Sequence, residues 1–117
     1  MSTPPVTKLN SRQSSDDSKE NTMFLLNISY KVQPSAVEPH AQTHGAWVKK
    51  HIDSGAFLFA GPKKSGLGGI IVTRTLERKQ LQELVAQDSF VQADVADYEI
   101  VEFVSKIAAS GVAGMLD

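Results

Sequence analysis

The chain has 117 residues, a formal net charge of −1 and no cysteine. It is therefore the size of one small domain, without disulfides, thiolate nucleophiles or thiolate-bound zinc and iron–sulfur sites. Its lysines and arginines are scattered, which offers nucleic acid no basic stripe, and no window reaches the roughly 18 apolar residues of a membrane-spanning helix; a cytoplasmic protein is expected.

Residues 1–22 hold Ser11, Ser14, Ser15, Asp16, Asp17, Lys19 and Glu20, with only Val6 and Leu9 as aliphatic side chains after Met1. Such a stretch buries too little apolar surface to offset chain entropy and reads as a disordered extension. It is neither Arg-rich and acid-poor like a mitochondrial presequence nor furnished with the apolar core of a secretory signal. Residues 23–31 then alternate: Phe24, Leu26, Ile28 and Tyr30 on one side, Leu25, Asn27, Ser29 and Lys31 on the other, the period of a strand. Pro34 breaks it. A helix follows to Ser54, begun either by Ser35 and Glu38 as a capping box or by Glu38 with Pro39 at the first helical position. Its apolar stripe reads Ala41, Gly45, Val48 and Ile52, and Gly55 is the expected left-handed stop.

Residues 56–60 (AFLFA) form a second strand closed by Gly61-Pro62. A short polar loop leads to a third strand over 68–74 (GGIIVTR), making a hairpin. Thr75 caps a second helix, 76–87, with Leu81, Leu84 and Val85 inward. After an irregular turn, 98–104 is the fourth strand, and 106–117 is a tail of weak helix character behind a domain spanning 23–105. The order β-α-β-β-α-β predicts an α+β, ferredoxin-like fold with a four-stranded antiparallel sheet and, by right-handed crossovers, both helices on one face. The strands carry large apolar groups in both directions, so the other face needs a partner. Two copies packed sheet to sheet would supply it, and a homodimer is expected.

His40, His44, Trp47 and His51 share one side of the first helix, bordering its apolar stripe. Histidines at i and i+4 can share a metal ion, but His40 and His51 lie about 16 Å apart along the axis and no acid stands on the stripe; no metal site is expected. His44, in mid-helix, is the strongest functional candidate among them, against a hydrogen-bonded structural role. Asp88 falls almost in phase with the buried face of the second helix, at the end where the dipole disfavours a carboxylate. It either caps the short turn 89–93 or orients an imidazole and fixes its tautomer. Residues 66–69 (GLGG) precede a strand with no Gly-Lys-Ser and read as hairpin glycines, not a phosphate loop. Lys63-Lys64 either attract an anion or are simply solvated.

The spacing from His44 to Gly55, the strand end Ala60-Gly61-Pro62 and the Gly68-Gly69 strand entry together resemble the YCII-related family. So do the Asp88-Ser89-Phe90-Val91 turn and the last strand, 98–103. The resemblance covers about 23–104 and implies the dimeric α+β barrel, with a histidine and an aspartate as acid/base pair; by position these are His44 and Asp88. Ser89 stands where the family usually has proline, which frees Asp88 to act as an ordinary cap. The resemblance thus implies a cofactor-independent enzyme acting on a small organic molecule of the aromatic or enolisable kind, by elimination, isomerisation or dehydrochlorination. Trp47, Phe57 and Tyr30 are the candidate substrate-binding walls. The alternative is a non-catalytic homodimer that binds a metabolite or a partner protein. Because the barrel also hosts cofactor-free oxygenases and haem-handling proteins, with His40 or His44 within reach of an iron, that reading stands third.

Overall fold

The computed structural model describes residues 22–114; the extension foreseen over residues 1–22 lies outside them except for Thr22, and the tail foreseen over 106–117 lies partly outside. The elements are β1 (Thr22–Tyr30), α1 (Pro34–Asp53), β2 (Phe57–Pro62), β3 (Gly68–Thr73), α2 (Arg78–Val85), α3 (Ser89–Gln92), β4 (Ala96–Val104) and the single turn α4 (Ser110–Ala113). All strand pairings are antiparallel, in the order β2-β3-β1-β4. None of the described helices is long and apolar enough to cross a membrane.

The alternation of β1 sorts the sheet into two faces. Phe24, Leu26 and Ile28 are buried under the helices with Phe57, Ile71, Val37, Trp47, Leu81 and Phe90, and Tyr30 packs against the same cluster. Each large apolar side chain buried in this way stabilises the fold by roughly 1.5–3 kcal/mol. The reverse face carries a smaller cluster, Met23 and Val72 with Leu25, Leu58 and Ile70. Register extends that face across β4: Val101 lies opposite Leu25 and Phe103 opposite Met23, whereas Ile100 lies opposite Leu26 and packs with the helices. Val101 is 46% exposed and Phe103 37%, so the apolar reverse face continues into solvent.

Several boundaries differ from expectation. α1 begins a turn early, with Gln33 as cap residue and Pro34 in the first turn, where its missing N–H costs nothing; neither Ser35 nor Glu38 caps it. The buried residues of α1 are Val37, Trp47 and His51, so the histidine and tryptophan stripe is itself the core-facing one, while Ala41 and Gly45 are exposed and Val48 and Ile52 half-buried. β2 runs on through Gly61 and Pro62, paired to Ile70 and Gly69. Thr75 does not start α2. Glu77 does, with Gln80 Oε1 accepting from its N–H at 3.0 Å in a capping box.

Two glycines are demanded by the backbone. Gly55 ends α1 at φ +88°, as its position predicts. Gly68 opens β3 at φ +155°, and a Cβ there would lie 1.9 Å from the carbonyl oxygen of Ile28 in β1. Gly68→Ala therefore combines backbone strain with a backbone clash that forces β1 and β3 apart. A loss of about 3 kcal/mol or more in urea unfolding is expected; an unchanged midpoint would show that the two strands do not approach as closely as this.

Candidate active site

Asp88 leaves the end of α2 in an extended conformation and caps α3, its Oδ1 accepting from the Phe90 N–H at 3.2 Å. The same oxygen lies 2.7 Å from Nδ1 of His44, which α1 brings in from 44 residues away. The other oxygen, Oδ2, accepts from the hydroxyl of Tyr98 on β4. Asp88 is fully buried, yet three donors from three elements converge on its carboxylate and leave no oxygen unsatisfied. The cap and the imidazole partner, foreseen as alternatives, are both formed, by one side chain. Ser89 replaces rigidity with a tether: its hydroxyl donates to the backbone oxygen of His40 at 3.0 Å, tying α3 to α1.

This arrangement dictates the tautomer of His44. A carboxylate can only accept, so Nδ1 carries a proton, and in the neutral ring the lone pair falls to Nε2. Among the described residues no group hydrogen-bonds Nε2. The ring lies flat on Phe90, centroids 3.9 Å apart and planes 2° from parallel, which fixes its plane as the carboxylate fixes its spin. His44 is one wall of a cavity of about 270 Å³ between α1 and the sheet, with Tyr30, Phe90, Ile28 and Ile71 as neighbours. Its remaining lining includes Gly61, Gly68 and Gly69, where the chain presents backbone instead of side chains. The volume falls just under the usual range for ligand pockets, about 300–1,000 Å³, and suits a molecule of one ring. With Nδ1 held by Asp88, the nitrogen left for this cavity is Nε2.

Of the other expected site residues, Tyr30 borders the cavity, edge-on to Phe90 at 5.8 Å. Trp47 and Phe57 are core residues outside its lining. They pack edge to face at 5.3 Å, and the Trp47 indole N–H donates to the Leu84 backbone oxygen at 3.1 Å. His51 is buried against both, with Nε2 3.4 Å from Gln87 Oε1. These residues pack α1 against α2 and β2. No group of three or more His, Asp or Glu placed to hold a metal ion occurs among the described residues.

Tyr98 was not foreseen. The readable signal is its place in β4, on the alternation that turns Ile100 towards the core: a phenol on a core face needs an acceptor. Burial, then the hydrogen bond to Asp88, then the charge of Asp88 raise its pKa far above the ordinary value of about 10. Below pH 10 the phenol is neutral in both folded and unfolded chains, and the contribution is fully present. Above pH 10 only the unfolded chain releases the proton, so stability falls as pH rises, by at most about 1.4 kcal/mol per pH unit from this group. Unfolding measured between pH 9 and 11.5 should show a shallower decline in Tyr98→Phe than in wild type; parallel curves would remove Tyr98 from the alkaline transition.

The fold and the paired side chains define, over the described residues, an α+β unit with an aspartate-held imidazole beside a small cavity. The chain belongs to the YCII-related family, whose domain description matches residues 23–104. Among solved structures it is similar to 5-chloro-2-hydroxyhydroquinone dehydrochlorinase from Burkholderia phenoliruptrix AC1100 in complex with 2,5-dihydroxybenzoquinone. The TM-score is 0.54 at 14% identity, over 76% of this chain and 96% of that one. A likeness at that identity is one of fold. No curated protein matches the chain.

Proposed function

We propose that this protein is a cofactor-independent proton-transfer enzyme acting on a small planar molecule with an acidic C–H or O–H, of the phenolic or enolisable kind. One observation carries the reading: His44 is held by a buried carboxylate with its basic nitrogen left for an apolar cavity. Nε2 takes the proton, the imidazolium gains the Asp88 charge at 2.7 Å, and the same nitrogen returns the proton at another atom or releases it as a leaving group departs. Elimination, isomerisation and dehydrochlorination all contain this step. The hydroxylated ring bound to the dehydrochlorinase of similar fold is of the size and class this cavity suits. Tyr30 is the cavity's other polar side chain, placed to orient a hydroxyl or carbonyl.

The functional unit in this proposal is a homodimer, because the reverse sheet face with Val101 and Phe103 is otherwise an apolar surface in water. The competing reading, a non-catalytic binding dimer, has one observation in its favour: Asp88 already has a structural task as the α3 cap. One measurement tests the geometry that both readings share, and a second separates them. Long-range 1H–15N NMR of the imidazoles should show His44 as the Nδ1–H tautomer, and Asp88→Asn should abolish that preference. Incubation in D2O with cyclic β-diketones and hydroxybenzoquinones should show deuterium exchange faster than buffer. Saturable binding without accelerated exchange would establish the non-catalytic protein instead.

A further inference from the structure

Two openings in the surface meet beside Gly45. The cavity beside His44 and a shallower groove of about 450 Å³ share Gly45, Val48 and Ala60 in their walls. From that junction the groove follows the seam between α1 and β2 to Ile52 and Leu58. Gly45 stands in the middle of a helix of 20 residues, a position where glycine is disfavoured against every residue but proline. Close packing does not require it, since a Cβ at Gly45 would meet no atom within 4 Å. What the missing side chain leaves is open space where the cavity passes into the groove.

We infer that the α1–β2 seam is a second subsite, which takes the apolar arm of the same small molecule whose acidic group meets His44; this rests on the reading of the cavity given above. Val48, Ile52, Leu58 and Ala60 give the seam its apolar walls. Its two charged members, Lys49 and Asp53, are paired with each other at 3.1 Å and so leave no net charge to select an ionic group. From Gly45 to Ile52 the helix advances about 10 Å, room for an alkyl chain of several carbons or a second ring. The ligand class is thus a one-ring acid carrying a neutral apolar substituent, with Gly45 as the position that admits the substituent.

The test uses isotope-labelled full-length protein with phenol, 4-butylphenol and 4-hexylphenol, reading dissociation constants and amide shifts by NMR. In wild type, hexylphenol should bind between about tenfold and a hundredfold more tightly than phenol, since a half-buried methylene contributes about twofold. The shifts should spread from His44 to Ile52 and Leu58. In Gly45→Leu, which improves the helix while filling the junction, the hexylphenol-to-phenol ratio should fall to about threefold or less. A wild-type ratio near unity with phenol seated at His44 would overturn the seam and leave the cavity reading standing. An undiminished ratio in Gly45→Leu, or tight hexylphenol binding without shifts at Ile52 and Leu58, would overturn it as well. Phenol that leaves His44 undisturbed overturns the cavity reading itself, and the seam falls with it.

Discussion

His44→Ala should slow proton exchange into any substrate the protein turns over by about 10²- to 10⁴-fold, the range that a positioned general base contributes. The loss should appear in kcat. Tyr98 and the Phe90 N–H still satisfy one Asp88 oxygen each, so the fold survives, with a stability cost of about 1–3 kcal/mol for the lost donor. Circular dichroism and light scattering on the variant establish that the protein assayed is folded and assembled as before. Tyr98→Phe makes a useful contrast, because it leaves the imidazole and its carboxylate contact in place. Equal exchange rates in wild type and His44→Ala would end the catalytic assignment of this residue.

Val101→Asp should convert the proposed dimer into a monomer. Val101 lies on the reverse face of the sheet, opposite Leu25 and beside Phe103 and Met23, and a two-fold packing of that face would bury about 800 Å² on each copy. An uncompensated charge in such an interface costs roughly 3–5 kcal/mol, and symmetry places one on each side, so the dissociation constant should rise more than a hundredfold. Light scattering at micromolar concentration reads the result against the protomer mass of 12.7 kDa. Ile100→Asp serves as the internal contrast: Ile100 packs under the helices, so its effect should be unfolding, not dissociation. Wild type running as a stable monomer would refute the sheet-to-sheet assembly outright.

Much of the fold was legible because alternation and punctuation are local signals. Phe24, Leu26 and Ile28 announce their face by period two, and Gly55 announces the end of α1 by the backbone it must adopt. The buried side of α1 departs from its apolar stripe for a physical reason. An apolar stripe selects Ala41, Gly45, Val48 and Ile52 by hydrophobicity alone, whereas the helix buries His51 and half-buries His44 because ring stacking and hydrogen bonds from other elements satisfy their polar atoms. Those partners are invisible along the chain. Glu77 is an unusual cap residue, so the sequence pattern points to Thr75 as the start of α2. At the candidate site, His44 stands out beside the expected apolar stripe and Asp88 almost in phase with a buried face, but their meeting through one carboxylate oxygen, and the arrival of Tyr98 at the other, depend on how α1 and β4 sit against α3.

Asp88 gives the protein an unusual kind of memory. The carboxylate that would serve the reaction also starts one helical turn and anchors a strand to a helix, so a lineage that ceased to need the chemistry would still be penalised for losing the residue. Descendants without activity would then keep the histidine and aspartate side by side, in good geometry, as architecture. The pair is therefore weak testimony of catalysis wherever it is met on this scaffold. What would fade first in a retired enzyme is the empty space around the imidazole on its Gly45 side, because a side chain there would meet no neighbouring atom. The state of the void, more than the presence of the pair, distinguishes a working member from a relic.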